Sequence, residues 1–276
     1  MKSTSFRVGL CAAVVGIVAP LSLPASAAPA SGELQIVQAT PGVAVGIAID
    51  GKRVRSGVGV GSVVGPYNLS PGTHEVRFLG GSGKTLMRTS VKVRSGVSSD
   101  VVLHRPASPR GEAVVNVYST PRAAIGPGKA RVLIAHTATV APADVRVDGK
   151  RIFTNIANGE FATADVPAGK HRVALLETGE DTYPILGPID VTLKPRTVTM
   201  VYAVGSPKNG SMRVIAHAAE LTADGTVKPA TIRTGSAGLA RGAVTELSAD
   251  RAGGDPTSSL GAGLMLPVTW AVQAVR

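Results

Sequence analysis

Five histidines and three aspartates are the side chains of this 276-residue chain with the widest chemical scope. His74, His104, His136, His171 and His217 are candidate zinc ligands or proton carriers. A zinc site needs three or four converging ligands, usually announced by spacings such as His-x-His, and none of the five has a local partner of that kind. His74 and His171 stand in equivalent places beside Pro-Gly turns, and His136 and His217 close two Ile-Ala-His segments. The expectation is therefore of semi-buried rings whose N–H groups bond turn carbonyls. Asp50, Asp144 and Asp148 raise the question of calcium. Loop ligands for calcium come as several carboxylates within a dozen residues; Asp144 and Asp148 are only two, and Asp148 has a turn to explain it.

The stretch Gly80-Gly81-Ser82-Gly83-Lys84-Thr85 invites a phosphate-loop reading. That pattern requires a glycine where Phe78 stands, and a strand leading into a helix. A hairpin loop is expected instead, since glycines are what such turns need. Nucleophilic hydrolysis has no anchor: there is no Gly-x-Ser-x-Gly elbow and no Ser-x-x-Lys at a helix start. A carboxylate pair for glycoside hydrolysis cannot be picked out, and a single tryptophan, Trp270, is poor material for a sugar platform. No catalytic, metal or cofactor-binding residue is assigned, no cofactor is expected, and the expected class is non-enzymatic.

The elements that must carry these side chains are short strands. Pro142 to Ile152 alternates Val145 and Val147 with Asp144 and Arg146, then turns at Asp148-Gly149. Strand side chains alternate faces, and Asp-Gly is a two-residue turn that tolerates positive φ at both centres. Ile47 to Val54 repeats the device around Asp50-Gly51. The repetition extends along the chain. Leu133 to His136 is set against Ile36 to Ala39, Lys170-His171-Arg172-Val173 against Thr73-His74-Glu75-Val76, Ile189 to Leu193 against Val91 and Val93, and Gly210 to His217 against Gly111 to Tyr118. The offsets are 97, 98, 97, 100 and 99 residues. Whole-domain duplication accounts for this period, which is too long for a solenoid. About seven short alternating strands per repeat predict two tandem immunoglobulin-like antiparallel β-sandwich domains, over 28–122 and 123–220, with the linker in 120–129. Residues 56–66 are read as a glycine-rich strand with close backbone approach or a bulge. Gly57–Gly65 and Asn155–Glu160 are expected to be exposed loops that carry contacts.

The two ends differ from the repeats. Lys2 and Arg7 precede an apolar run from Val8 to Leu23, and Ala25-Ser26-Ala27 is a small-residue cleavage site. A signal peptide over 1–27, cut between Ala27 and Ala28, follows from that layout and implies a secreted or cell-surface protein. The single cysteine, Cys11, leaves with the leader, so disulfides and thiol chemistry are excluded from the mature chain. The net charge is +11 before cleavage, and Lys2 and Arg7 account for two of it. Most of the excess lies in 28–122, with 11 basic against 5 acidic residues, which favours anionic wall polymers or lipid surfaces as partners. Nucleic acid is not expected, because the basic residues alternate along strands and aromatics make up only 3% of the chain. Beyond Leu221 the repeat stops. A mostly irregular tail over 221–276 ends in an uncharged apolar stretch, 257–275, for which a membrane anchor and an element docked on the second domain are both open readings.

The segments Arg131 to His136 and Pro142 to Gly149, extended by Val166 to His171 and Val201 to Gly205, resemble the bacterial family known as domain of unknown function 4397. The likeness runs over 130–218 and more weakly over 33–118; Gln38 stands in the first repeat where the second has its histidine. The resemblance implies exported tandem β-sandwich domains, common in actinobacteria, and brings no established activity or catalytic residues. Three functions follow as expectations: a non-enzymatic envelope or secreted module with an unknown protein partner, a basic module that binds anionic cell-wall polymer, and a metal-dependent envelope hydrolase built on fold-assembled histidines.

Overall fold

The computed structural model describes residues 31–221, together with the backbone of two short tail strands. The leader with its Ala27/Ala28 position lies outside the described residues, as does the apolar 257–275 stretch except for Val272–Ala274. Among the described residues the protein is all-β, apart from one turn of 3-10 helix at Pro207–Asn209. The first unit holds β1 (Gly32–Gln38), β2 (Val45–Ile49), β3 (Lys52–Val58), β4 (Val63–Leu69), β5 (Gly72–Leu79), β6 (Thr85–Val93), β7 (Ser98–His104) and β8 (Val114–Ser119). The second holds β9 (Lys129–His136), β10 (Ala143–Val147), β11 (Lys150–Ile156), β12 (Phe161–Pro167), β13 (Gly169–Glu177), β14 (Leu186–Leu193), β15 (Thr197–Val204) and β16 (Arg213–Leu221). Two tail strands follow, β17 (Val227–Pro229) beside β16 and β18 (Val272–Ala274) beside β12.

Each unit is a sandwich of two sheets with the same strand order. The first pairs β4-β1-β7-β8 with β3-β2-β5-β6; the second pairs β12-β9-β15-β16 with β11-β10-β13-β14. The sheets are not wholly antiparallel, because β1 runs parallel to β7 and β9 parallel to β15. Eight strands stand where seven were expected. Residues 56–66 are two strand ends rather than one strand: Gly57 and Gly61 take φ of 64° and 93°, conformations open to glycine, and the chain passes from one sheet to the other between β3 and β4, so Gly57–Gly65 is not an exposed loop and only Gly57 of it is exposed. The hairpin turns hold the predicted residues, with positive φ at Asp50, Gly51, Asp148 and Gly149. Gly80 to Lys84 is a tight hairpin loop between β5 and β6, closed by the Gly80 N–H donating to the Lys84 carbonyl.

Three cores are stacked through the molecule. Leu34, Ile36, Ile47, Val76, Phe78 and Val101 fill the first sandwich, and Val132, Ile134, Val145, Phe153 and Leu175 fill the second. A third core joins the units back to back, with Val37, Val102 and Tyr118 of the first packed against Leu133, Met200, Tyr202 and Ile215 of the second. Strands β1, β7, β9 and β15 are consequently buried on both faces. This accords with the nearly continuous apolar stretches of β9 and β15 and with parallel pairs occurring there, and it means that Gln35, Gln38, Asp100 and His104 of β1 and β7 are buried polar groups. The connection between β8 and β9 is pinned by Arg131, which pairs with Asp165 at 2.6 and 2.7 Å and donates to the Ala123 carbonyl at 2.5 Å.

Candidate functional site

The β2–β3 turn and its repeat, β10–β11, fix two of the histidines. In the first unit His74 Nδ1 donates to Asp50 Oδ2 at 2.6 Å, His74 Nε2 donates to the Ser70 carbonyl at 2.8 Å, and Asp50 Oδ1 accepts from the Glu75 N–H at 2.9 Å. In the second, His171 faces Asp148 and the Pro167 carbonyl, both at 2.8 Å, and Asp148 accepts from the Arg172 N–H. The hydrogen bond that His74 donates to Asp50 is the main cause that raises the His74 pKa, and the same bond lowers that of Asp50. Burial pushes the Asp148 carboxyl up, but the Arg172 N–H and His171 outweigh it and hold the group below its ordinary value. These pairs lock a turn to the neighbouring strand; both aspartates have their oxygens occupied by that task.

His136 plays a different part. Its Nε2 donates to the Ala141 carbonyl at 3.0 Å and its Nδ1 accepts from the Ala138 N–H at 3.3 Å, a pattern that needs the neutral ring. Burial lowers its pKa, in agreement with that state. Gln38 makes the same two bonds in the first unit: its Oε1 accepts from the Thr40 N–H and its Nε2 donates to the Val43 carbonyl. An amide thus replaces an imidazole at the same job. This equivalence sets the offset of the first strand at 98 residues, so the 97-residue alignment of Ile36 with Leu133 is corrected. One residue of slip exchanges the two faces of a strand, and Ile36 faces the sandwich interior while Leu133 faces the other unit.

A buried polar cluster lies between the units, and the sequence reading did not anticipate it. Asp100 on β7 is fully buried, and its Oδ2 accepts from His217 Nε2 at 2.5 Å and from the Tyr202 hydroxyl. Its Oδ1 and the neighbouring Gln35 Oε1 have no hydrogen-bond partner among the described residues. Burial, and next the charge of Asp100, raise the Tyr202 pKa well above that of a free phenol. The only signal in the sequence was an acid inside an apolar strand, Ser99-Asp100-Val101-Val102. Nearby, Tyr118 donates to the Gly159 carbonyl at 3.0 Å, and Asn158 donates to the Arg105 and Ala138 carbonyls. The Asn155–Glu160 loop is therefore an inter-unit clasp, which corrects its assignment as a free contact loop. His104 also sits here, with Nδ1 donating to the Arg105 carbonyl and Nε2 against Asn116; burial lowers its pKa.

Asp144 is buried and taken up by the Asn155 N–H, the Thr178 hydroxyl and Arg151. It does not join Asp50 or Asp148. Among the described residues, no three of His, Cys, Asp and Glu are grouped to hold a metal ion.

The exposed chemistry lies on the outer face of the β3-β2-β5-β6 sheet. The registers place Arg53, Ala48, Arg77 and Arg88 in one cross-strand row. Lys92 projects from the same face, whereas Val91 and Val93 face inward. The acid among them is Glu75, 2.9 Å from Arg77 and 3.9 Å from Arg88. The corresponding sheet of the second unit is internally balanced: Asp181 binds both Arg146 and Arg151, and Ala174 takes the place of Arg77.

No curated protein matches the chain. The family match does not extend over the second repeat, so it does not establish a second copy, and it falls on the repeat where the sequence showed the weaker likeness. Residues 32–143, the whole first unit and the first strand of the second, match the model of a family described as a domain of unknown function, DUF4397, the family that the sequence resembles.

Proposed function

We propose that the chain is an exported, non-enzymatic binding module of the cell envelope, and that its first unit presents a cationic sheet face to an anionic polymer. The row Arg53–Arg77–Arg88, with Lys92 further along β6 on the same face, carries this reading. A strand repeat of about 3.3 Å and a strand spacing of about 4.8 Å bring such cations within one Debye length of each other, so their fields add toward a polyanion. Long side chains on a rigid sheet also meet a flexible polymer without ordering a loop. The non-enzymatic part of the reading draws on the occupied histidines: four donate to backbone carbonyls, and His217 is bound to a buried carboxylate.

Binding of the purified mature protein to dextran sulfate, with neutral dextran as control, tests the proposal. Affinity for the sulfated polymer is expected to fall by about tenfold between low and physiological salt. Replacing Arg53, Arg77 and Arg88 together by Ser should remove most of it while the thermal midpoint holds. Equal binding to both dextrans, or binding indifferent to the triple variant, sinks the reading.

A further inference from the structure

The two sandwiches share a topology but differ in how they are filled. The registers make Leu34 equivalent to Val132, Phe78 to Leu175, and Leu103 to Ala203. At all three places the second unit carries the smaller side chain. Residues of the same type differ accordingly: Val76 and Val91 are 0% and 2% exposed, while their counterparts Val173 and Val191 are only half-buried. In the first unit β6 also closes on β8, a contact without a counterpart of the same extent between β14 and β16. The result is a half-open cleft of about 310 Å³ between the sheets of the second unit, with walls that include Val132, Leu175, Ile189, Val191, Val201 and Ala203. Its few polar neighbours do not point to a charged ligand: the His171 ring is held by Asp148 and Pro167, Asp190 and Thr192 alternate with the inward Ile189, Val191 and Leu193, and Thr199 adds one uncharged hydroxyl.

We infer that this cleft is a binding site for a linear aliphatic chain, such as the acyl or alkyl tail of an envelope lipid. The walls offer dispersion and water exclusion with a single inward hydroxyl, that of Thr199, so the ligand segment they fit is predominantly apolar. A lining assembled from two flat sheets is slot-shaped, which admits an extended chain more readily than a fused ring. At roughly 30 Å³ per water-sized group the space holds on the order of ten methylenes, near the lower end of ligand cavities. The first unit is the internal control at the equivalent place, where Leu34, Phe78 and Leu103 stand in the core; its own recess lies elsewhere, at the edge beside Ile49, Val54, Tyr67 and Leu69. The inference rests on the reading of the chain as a binding module, yet it lies in the other unit from the cationic face and fails independently of it.

The test is calorimetric titration of the full mature chain, prepared without detergent, with a series of straight-chain alkanols from hexanol to tetradecanol. Affinity should rise by about fourfold per added methylene and level off near ten to twelve carbons, while a bulky sterol binds no better than the shortest alcohol. Val132→Leu, Leu175→Phe and Ala203→Leu together, each the residue the first unit already holds there, should abolish binding and keep or raise the thermal midpoint. Dextran sulfate binding should be unchanged in that variant, which separates failure of the cleft from failure of the polymer face. If the triple variant does not fold, methyl NMR on the unaltered chain decides: decanol should shift Ile189, Val191 and Val201 methyls and leave those of Val37 and Val102 in place. No binding at any chain length, shifts confined to the inter-unit core, or undiminished binding by a folded filled variant would overturn the inference.

Discussion

Asp100 shows what a single residue contributes at the join between the units. Its equivalent in β15 is Met200, so the strand itself has no need of an acid. The carboxylate is there for His217 and the Tyr202 hydroxyl. Replacing it by Met fits the strand but leaves a buried ring N–H and a buried hydroxyl without acceptor. The expected loss is about 2–4 kcal/mol of unfolding free energy, read from urea denaturation. A change below about 0.5 kcal/mol would mean that the cluster is relaxed by rearrangement. The His74–Asp50 lock predicts a pH effect of defined sign. His74 is raised in the folded state, so its contribution is complete below its unfolded value of 6.5 and is lost as pH rises through the folded value. Asp50 is lowered, so its contribution is present above 3.8 and is lost as pH falls through its folded value. The lock is thus strongest in mildly acid medium. An NMR titration of the His74 ring should show the raised midpoint, and Asp50→Asn should bring it back toward 6.5; an unmoved midpoint in that variant would remove the assigned cause.

At the scale of elements, the hairpins were legible because Asp-Gly turns and period-two alternation are local signals. The Asp50–Gly51 and Asp148–Gly149 turns could be placed from the sequence for that reason. The first-strand alignment slipped by one because Ile36-Val37 and Leu133-Ile134 are apolar on both faces, and alternation carries no phase there. Hydrogen bonding, not hydropathy, restores the phase, through the shared i+2 and i+5 bonds of Gln38 and His136. Strand β3 was legible only at its start, as the second arm of the Ile47–Val54 hairpin: the polar Lys52-Arg53-Val54-Arg55 run into a glycine-rich stretch hides where it ends, at Val58. The cationic row itself was half visible. Charge counts located the excess in the first unit, but only the cross-strand register brings residues 53, 77 and 88 side by side. The cleft was not visible at all, since it depends on three size differences at positions that become comparable only once the register is known.

Taken whole, the molecule is four sheets deep, and its middle layer boundary is as apolar as either sandwich interior. The double burial of β1, β7, β9 and β15 leaves neither unit with a closed surface of its own. A unit released from its partner would expose Val37, Val102 and Tyr118, or Leu133, Met200, Tyr202 and Ile215, as one contiguous patch, and patches of that kind drive association. Folding should accordingly be a single event for both units. In urea, the ring NMR signals of Tyr118 and Tyr202 at the join, and far-ultraviolet circular dichroism, which reports all strands, should lose their native values together with one midpoint. Met200→Glu places an unpaired charge in that layer and should cost about 3 kcal/mol or more, shifting both signals. If the tyrosine signal is lost well before the dichroism in the unaltered chain, the units are stable apart and the shared core is a docking surface. If the two stay together and Met200→Glu moves them equally, the third core is as much part of the fold as the other two.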